Sequence, residues 1–185
     1  MINIINYNEK YKEKVFEFIY NTMSEELDVD KTTLEKITKD LKNIQKNYIN
    51  KNGTMFLAID YETDNVVGTI AIIESQKGIG ELKRFYIKKE YRSQKIGYKL
   101  YSLVEDYAIN KSFKRMYLVS GKELTKAHKL YERNGWEKVI NNGEVNIYVR
   151  QNANLYKKEL MTDYKLRFAE RLLEESNQVF PRKCA

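Results

Sequence analysis

Cysteine, histidine, proline and tryptophan each occur once in 185 residues. A single cysteine, Cys184, excludes an intramolecular disulfide and fits a reducing compartment, so a cytoplasmic setting is expected. With His128 as the one histidine, no metal site of His and Cys ligands and no Cys–His nucleophile pair is expected. No apolar run approaches the roughly 20 residues that cross a bilayer, so no membrane partner is expected. The opening Met1-Ile2-Asn3-Ile4-Ile5-Asn6-Tyr7 lacks a basic segment and a long apolar core, so it does not read as a signal peptide. No Gly/Pro/Ser-rich linker, low-complexity run or internal repeat divides the chain, and its length suits one domain.

Charge and aromatic residues are plentiful. Lys and Arg number 33 against 26 Asp and Glu, giving a net charge of +7, and there are fifteen tyrosines. A hydrophobic share of 42% with 32% charged residues fits a globular chain that buries a core. Excess positive charge suits a polyanionic partner, whether nucleic acid or a smaller ligand. Acids and bases are interspersed without a long basic run, so nucleic acid is the weaker expectation.

Periodicity orders the elements. Ile2 to Tyr7 suits a first strand, and Tyr11, Val15, Phe18, Ile19 and Met23 form a helical stripe. Thr32-Thr33-Leu34-Glu35 fits a capping box, and Leu34, Ile37, Leu41, Ile44 and Tyr48 predict one continuous helix up to Asn52-Gly53. Strands are expected at Met55–Asp60 and Val66–Glu74, followed by a loop at 75–80 and a strand at Glu81–Lys88. A helix with Ile96, Leu100, Leu103 and Tyr107 inward follows, then a strand at Arg115–Ser120. Leu124 to Arg133 reads as a helix closed by Asn134-Gly135. Strands at Trp136–Ile140 and Val145–Arg150 flank Asn142-Gly143, a strong hairpin signal.

The order is β-α-α-β-β-β-α-β-α-β-β, an α/β (α+β) arrangement with a mixed sheet. It accounts for residues 1–150 as one domain. Residues 151–185 form an extension in which Tyr156, Leu160, Met161, Tyr164, Phe168, Leu172 and Leu173 predict an amphipathic C-terminal helix. Its apolar face is expected to pack on the same domain or on a second copy, making a homodimer. Mixed charge on the other face argues against a membrane surface.

Two stretches carry the chemistry. Tyr91-Arg92-Ser93-Gln94-Lys95-Ile96-Gly97 links a strand to a helix, and the N–H groups at such a helix start suit a pyrophosphate. Ala127-His128-Lys129-Leu130-Tyr131-Glu132-Arg133-Asn134-Gly135-Trp136 places Ala127, Leu130 and Tyr131 on one helical face. The first stretch resembles the Gln/Arg-x-x-Gly-x-Gly/Ala motif that binds acetyl-CoA in the GNAT superfamily of N-acyltransferases. Arg92 and Gly97 match it, and Lys95 stands where glycine is usual. If position 95 requires a positive φ, lysine there is strained. The second stretch resembles the family signature Ala-x-x-Leu-Tyr-x-x-x-Gly-Phe/Trp. Both stand in the right order and context, over about residues 2–150.

The resemblance implies a GNAT fold and an acetyl-CoA-dependent N-acetyltransferase that works by direct transfer to an amine, without metal. Under it, backbone groups of Phe85, Tyr86 and Ile87 hold pantetheine and the acetyl oxygen. Arg92, Ser93, Gln94, Lys95, Ile96 and Gly97 hold the pyrophosphate. Tyr131 protonates the departing thiolate, and Glu81 takes the amine's proton. Read without the resemblance, Tyr131 is a core tyrosine and Glu81 an exposed strand-end carboxylate. His128 reads as a surface or partly buried helix residue, although imidazole can serve as a base. Ser120 either faces the cofactor or begins a loop, and Trp136 packs at a corner. Glu25, Glu26, Asp28 and Asp30 suit a cationic small-molecule or peptide amine, or ordinary helix-end electrostatics. Two other readings stay open: acetylation of aminoacyl-tRNA, as by GNAT-type toxins, and a non-catalytic CoA-binding module.

Overall fold

The computed structural model describes residues 1–27, 29–121, 124–141 and 145–151. The expected C-terminal helix and the Asn142-Gly143 turn lie outside the described residues. Strands β1 (Ile2–Asn6), β2 (Thr54–Asp60), β3 (Asn65–Gln76), β4 (Ile79–Ile87), β5 (Arg115–Gly121), β6 (Glu137–Asn141) and β7 (Val145–Gln151) form one sheet. Its order is β1-β2-β3-β4-β5-β7-β6. β4 and β5 run parallel, and every other neighbouring pair is antiparallel. The helices are α1 (Lys12–Glu26), α2 (Lys31–Ile37), α3 (Ile44–Asn47), α4 (Ile96–Asn110) and α5 (Thr125–Arg133).

Alternation along the strands builds a core on each face of the sheet. Phe56 and Ala58 of β2 and Ile70 and Ile72 of β3 pack with Leu100, Tyr101 and Val104 of α4 and Tyr131 of α5. Met55, Leu57 and Ile59 of β2 turn the other way, onto Val15, Ile19 and Met23 of α1 and Leu34 of α2. Burying each such side chain contributes about 1.5–3 kcal/mol before ordering costs. β2 is buried along its whole length because both faces are covered.

Three expectations need correction. The α2 cap is Asp30, whose Oδ1 accepts the Thr33 N–H at 2.9 Å and whose Oδ2 accepts the Thr33 hydroxyl at 2.8 Å. Aspartate caps as well as threonine, so the helix starts two residues earlier than the Thr32 box predicts. The helix expected through Tyr48 is broken after Ile37 and passes through a 3-10 segment, Lys39–Asn43, before α3. Buried Thr38 sends its hydroxyl back to the Leu34 carbonyl at 2.8 Å, a bond that competes with helix continuation. The expected loop at 75–80 is a tight hairpin: β3 runs to Gln76, β4 starts at Ile79, and Gly78 supplies φ +75°. Asn134-Gly135 ends α5 as expected, with Gly135 at φ +77°.

Candidate active site

The parallel pair at the centre of the sheet opens into a cleft. β4 and β5 are in register only from Ile79 to Glu81 and from Arg115 to Tyr117. Both strands continue, β5 along β7 and β4 along β3, so Leu82 to Ile87 have a strand partner on one side only. An open backbone edge between two strands can receive an extended ligand as an added strand.

Midway along that edge β4 carries a bulge. Ala71 of β3 pairs with Lys83 and Thr69 with Tyr86, so Arg84 and Phe85 together oppose Ile70. Arg84 has φ +55°, a left-handed conformation unusual for a non-glycine residue. The extra residue shifts the side-chain alternation. Leu82 faces α4, and past the bulge Phe85 and Ile87 face α4 while Tyr86 faces α1.

The β4–α4 connection forms an anion-type loop. Ser93 (φ +67°) and Lys95 (φ +61°, ψ 10°) are both left-handed, with Gln94 between them outside that region. Alternating backbone hand aims successive N–H groups into a concavity. The first α-type bond of α4 runs from the Lys99 N–H to the Lys95 carbonyl, so the N–H groups of Ile96, Gly97 and Tyr98 lie before it. Lys95 therefore does sit where a positive φ is required, and the lysine is strained there. Gly97 is not left-handed, and a Cβ on it would touch Phe85 at 3.6 Å and Ile87 at 3.8 Å, ordinary contacts. Packing within the fold does not demand glycine at 97. A side chain there would extend over the exposed flank of Phe85 and Ile87.

Tyr131 is buried on α5 in an aromatic cluster. Its ring centroid lies 6.5 Å from Phe85, 6.1 Å from Trp136 and 5.6 Å from Tyr148. Burial first, then neighbouring phenols, raises its pKa above the ordinary tyrosine value, so the phenol keeps its proton at neutral pH. The Phe85 ring is thus a neighbour of both Tyr131 and Gly97, which come one from each sequence motif. Trp136 packs in the core as expected, its Nε1–H donating to Tyr101 Oη at 2.7 Å.

Glu81 lies on the last rung of the β4–β5 ladder, opposite Tyr117, and is partly buried. Its carboxylate accepts a hydrogen bond from Lys83 Nζ at 2.7 Å. Arg92 turns toward the helices: its Nε–H donates to the Ile87 carbonyl at 2.9 Å and its Nη2 to Glu26. Lys89 likewise pairs with Glu25 at 3.1 Å. Glu25 and Glu26 therefore tie the end of α1 to the anion loop, and Asp30 is a helix cap; Asp28 lies outside the described residues. Sequence periodicity contained no signal for the Glu26–Arg92 pair, because it joins residues 66 positions apart.

His128 is buried, a correction to the expected surface or partly buried position. Its Nε2 lies 3.1 Å from the Gly121 carbonyl and 3.2 Å from Ser120 Oγ. Asn146 Nδ2, a donor, lies 3.4 Å from the same Nε2, so this nitrogen has both an acceptor and a donor group around it. Ser120 lies within β5 and bonds His128 rather than opening a loop. Among the described residues no group of three His, Cys, Asp or Glu side chains is placed to hold a metal.

The family profile of the acetyltransferase (GNAT) family matches residues 16–136. An acetyltransferase of the GNAT family from Staphylococcus aureus Mu50 shares 31% identity, covering 82% of this chain and 99% of its own, with a TM-score of 0.72. The chain belongs to the acetyltransferase (GNAT) family, a family of enzymes. The curated relative, a probable N-acetyltransferase camello of Xenopus tropicalis, is 31% identical over 104 residues, 55% of this chain. The match spans about half of that relative's length, 47%. The fold is shared with the PaiA N-acetyltransferase of Thermoplasma acidophilum, solved with coenzyme A, at 18% identity and TM-score 0.67, covering 82% and 99% of the two chains. No described helix is long and apolar enough to cross a membrane.

Proposed function

We propose that the chain moves an acetyl group from acetyl-CoA to a primary amine, by direct attack with both substrates bound. One observation carries this reading: the parallel ladder ends at Glu81–Tyr117, and Phe85 on the opened edge touches both Tyr131 and the Gly97 flank. When bound, acetyl-CoA supplies an acyl thioester. The residues fit that ligand. The left-handed pair at Ser93 and Lys95 and the N–H groups opening α4 suit its pyrophosphate. Phe85, Tyr86 and Ile87 offer backbone groups along the cleft to hold its arm and polarise a carbonyl.

An attacking amine must be neutral. Glu81 is the carboxylate at the cleft's inner end, where it accepts a hydrogen bond from the Lys83 ammonium. It takes the amine's proton directly or through water. Tyr131 keeps its proton at neutral pH and donates it to the departing thiolate. The acceptor, a small-molecule or peptide amine, enters beside α1 and α2; Glu25 and Glu26 there are already paired with Lys89 and Arg92, and Asp30 caps α2.

The test is CoA release over a panel of polyamines, amino acids and peptides, with the product amine checked for added acetyl mass. Release with one amine class supports the reading. Tight acetyl-CoA binding with no turnover across the panel would favour a CoA-binding module instead.

A further inference from the structure

The guanidinium of Arg84 is buried, and its own backbone is the residue at which β4 changes face. Nη2 donates to the Ile37 carbonyl at 2.6 Å and to Asp40 Oδ1. Nε donates to Tyr48 Oη at 2.9 Å, and the Tyr48 hydroxyl in turn donates to Asp40 Oδ2. Nη1 lies 3.3 Å from Met23 Sδ. On the backbone side, the Arg84 carbonyl accepts the hydroxyl of fully buried Thr69 at 2.7 Å. The three guanidinium nitrogens are held from α1, the end of α2, the 3-10 segment and the residue after α3, and the carbonyl is held from β3.

A left-handed residue inside a strand is ordinarily glycine. Here an arginine takes that conformation, so something beyond backbone ease selects it. If β4 ran without the bulge, its alternation would carry Phe85 and Ile87 away from α4 and away from Tyr131. The face on which the Phe85 ring meets Tyr131 depends on the extra residue at Arg84.

We infer that Arg84 is a positioning residue: its clamped guanidinium holds the β4 bulge and so sets the Phe85–Ile87 backbone and the Phe85 ring against Tyr131. The same side chain links the 31–48 segment, on the acceptor side, to the strand on the cofactor side. Displacement of Asp40 or Ile37 is transmitted to the bulge through one rigid group. This rests on the acetyl-transfer reading above. It differs from that reading in locating part of the rate in a residue that touches neither substrate.

Arg84→Gly, Arg84→Lys and Asp40→Asn separate the possibilities. Glycine suits the left-handed backbone but removes the clamp. Lysine keeps a charge for Asp40 but loses the fork. Asp40→Asn keeps the guanidinium with its bonds to Ile37 and Tyr48. Each variant is assayed well below its unfolding midpoint, with circular dichroism confirming the folded fraction. The expected result is a kcat lower by about tenfold or more in Arg84→Gly, with acetyl-CoA Kd changed by less than about threefold, because misplacement acts on the transition state and the pyrophosphate loop is untouched. Should Arg84→Gly not fold, the same split is expected in Arg84→Lys and Asp40→Asn. A kcat within about twofold of wild type per folded molecule, or a raised KM with unchanged kcat, overturns the inference. Absence of turnover in the wild-type chain itself would instead overturn the acetyl-transfer reading.

Discussion

Glu81 and Tyr117 form the last rung of the β4–β5 ladder, the one parallel pairing among the described strands. Beyond that rung, Leu82 to Ile87 keep β3 on one side and face the cleft on the other. A ligand that pairs with this edge protects its amides as a neighbouring strand would. Hydrogen exchange in peptides covering 82–87 is expected to slow on adding acetyl-CoA, while peptides from β1 and β2 stay unchanged. Equal protection everywhere would mean general stabilisation and no strand-like pairing.

Lys95 sits at φ +61° at the start of α4. The left-handed region costs a residue with a Cβ about 1–2 kcal/mol, and glycine avoids most of it. Lys95→Gly is therefore expected to stabilise the chain by about 1 kcal/mol, read as a rise of a few degrees in the unfolding midpoint. Acetyl-CoA is expected to bind that variant more weakly as its charge near the loop is lost, by a factor that shrinks at high salt. A lower midpoint would show that Lys95 makes a contact that outweighs its strain.

The nearest atoms that a Cβ on Gly97 would meet belong to Phe85 and Ile87, at ordinary van der Waals distance. Gly97→Val should leave the fold intact, with a midpoint within a few degrees of wild type, because the site can receive a side chain. It should abolish stabilisation by acetyl-CoA, because that side chain occupies the cleft flank. Normal acetyl-CoA binding by Gly97→Val would move the cofactor elsewhere.

Tyr131→Phe keeps the ring contacts with Phe85, Trp136 and Tyr148 and removes the proton donor. Its kcat is expected to fall by about 10²-fold with acetyl-CoA affinity unchanged. Stability supplies an independent check. Burial raises Tyr131 above the ordinary phenol value and pushes Tyr148 up to about 12, helped by the nearby Glu132 carboxylate. Above about pH 10 the unfolded chain loses these protons while the folded chain keeps them. The folded state then binds more protons, so stability falls as pH rises, by about 1.4 kcal/mol per pH unit for each retained phenol. Below about pH 9 these groups contribute no slope. Tyr131→Phe should show a shallower decline between pH 10 and 12 in thermal scans.

The element order and both motifs were legible in the sequence, because each is local. Strand alternation and the spacing Ile96, Leu100, Leu103 and Tyr107 report which face is buried, whatever the partner. The tight pairing of Asn134 with Gly135 carries its own turn chemistry. Less legible were features that depend on distant partners. The helix breaks at Thr38, whose hydroxyl returns to the Leu34 carbonyl, and spacing does not reveal it, since Leu41, Ile44 and Tyr48 are buried in the broken segment too. Arg84 reads as one more charged residue in a strand; its left-handed backbone and its clamp by Asp40 and Tyr48 arise only in the folded chain. Arg92 reads as a phosphate ligand, and the structure adds Glu26 as its partner.

The central claim is that the opened edge of β4 and the loop before α4 receive acetyl-CoA. Thermal unfolding with and without saturating acetyl-CoA tests it most directly. A ligand at 100 times its Kd stabilises by about 2.7 kcal/mol, which for a chain of this size is a shift of several degrees. A rise of that size, absent in Gly97→Val, is the predicted result. An unchanged midpoint at millimolar acetyl-CoA would contradict the account.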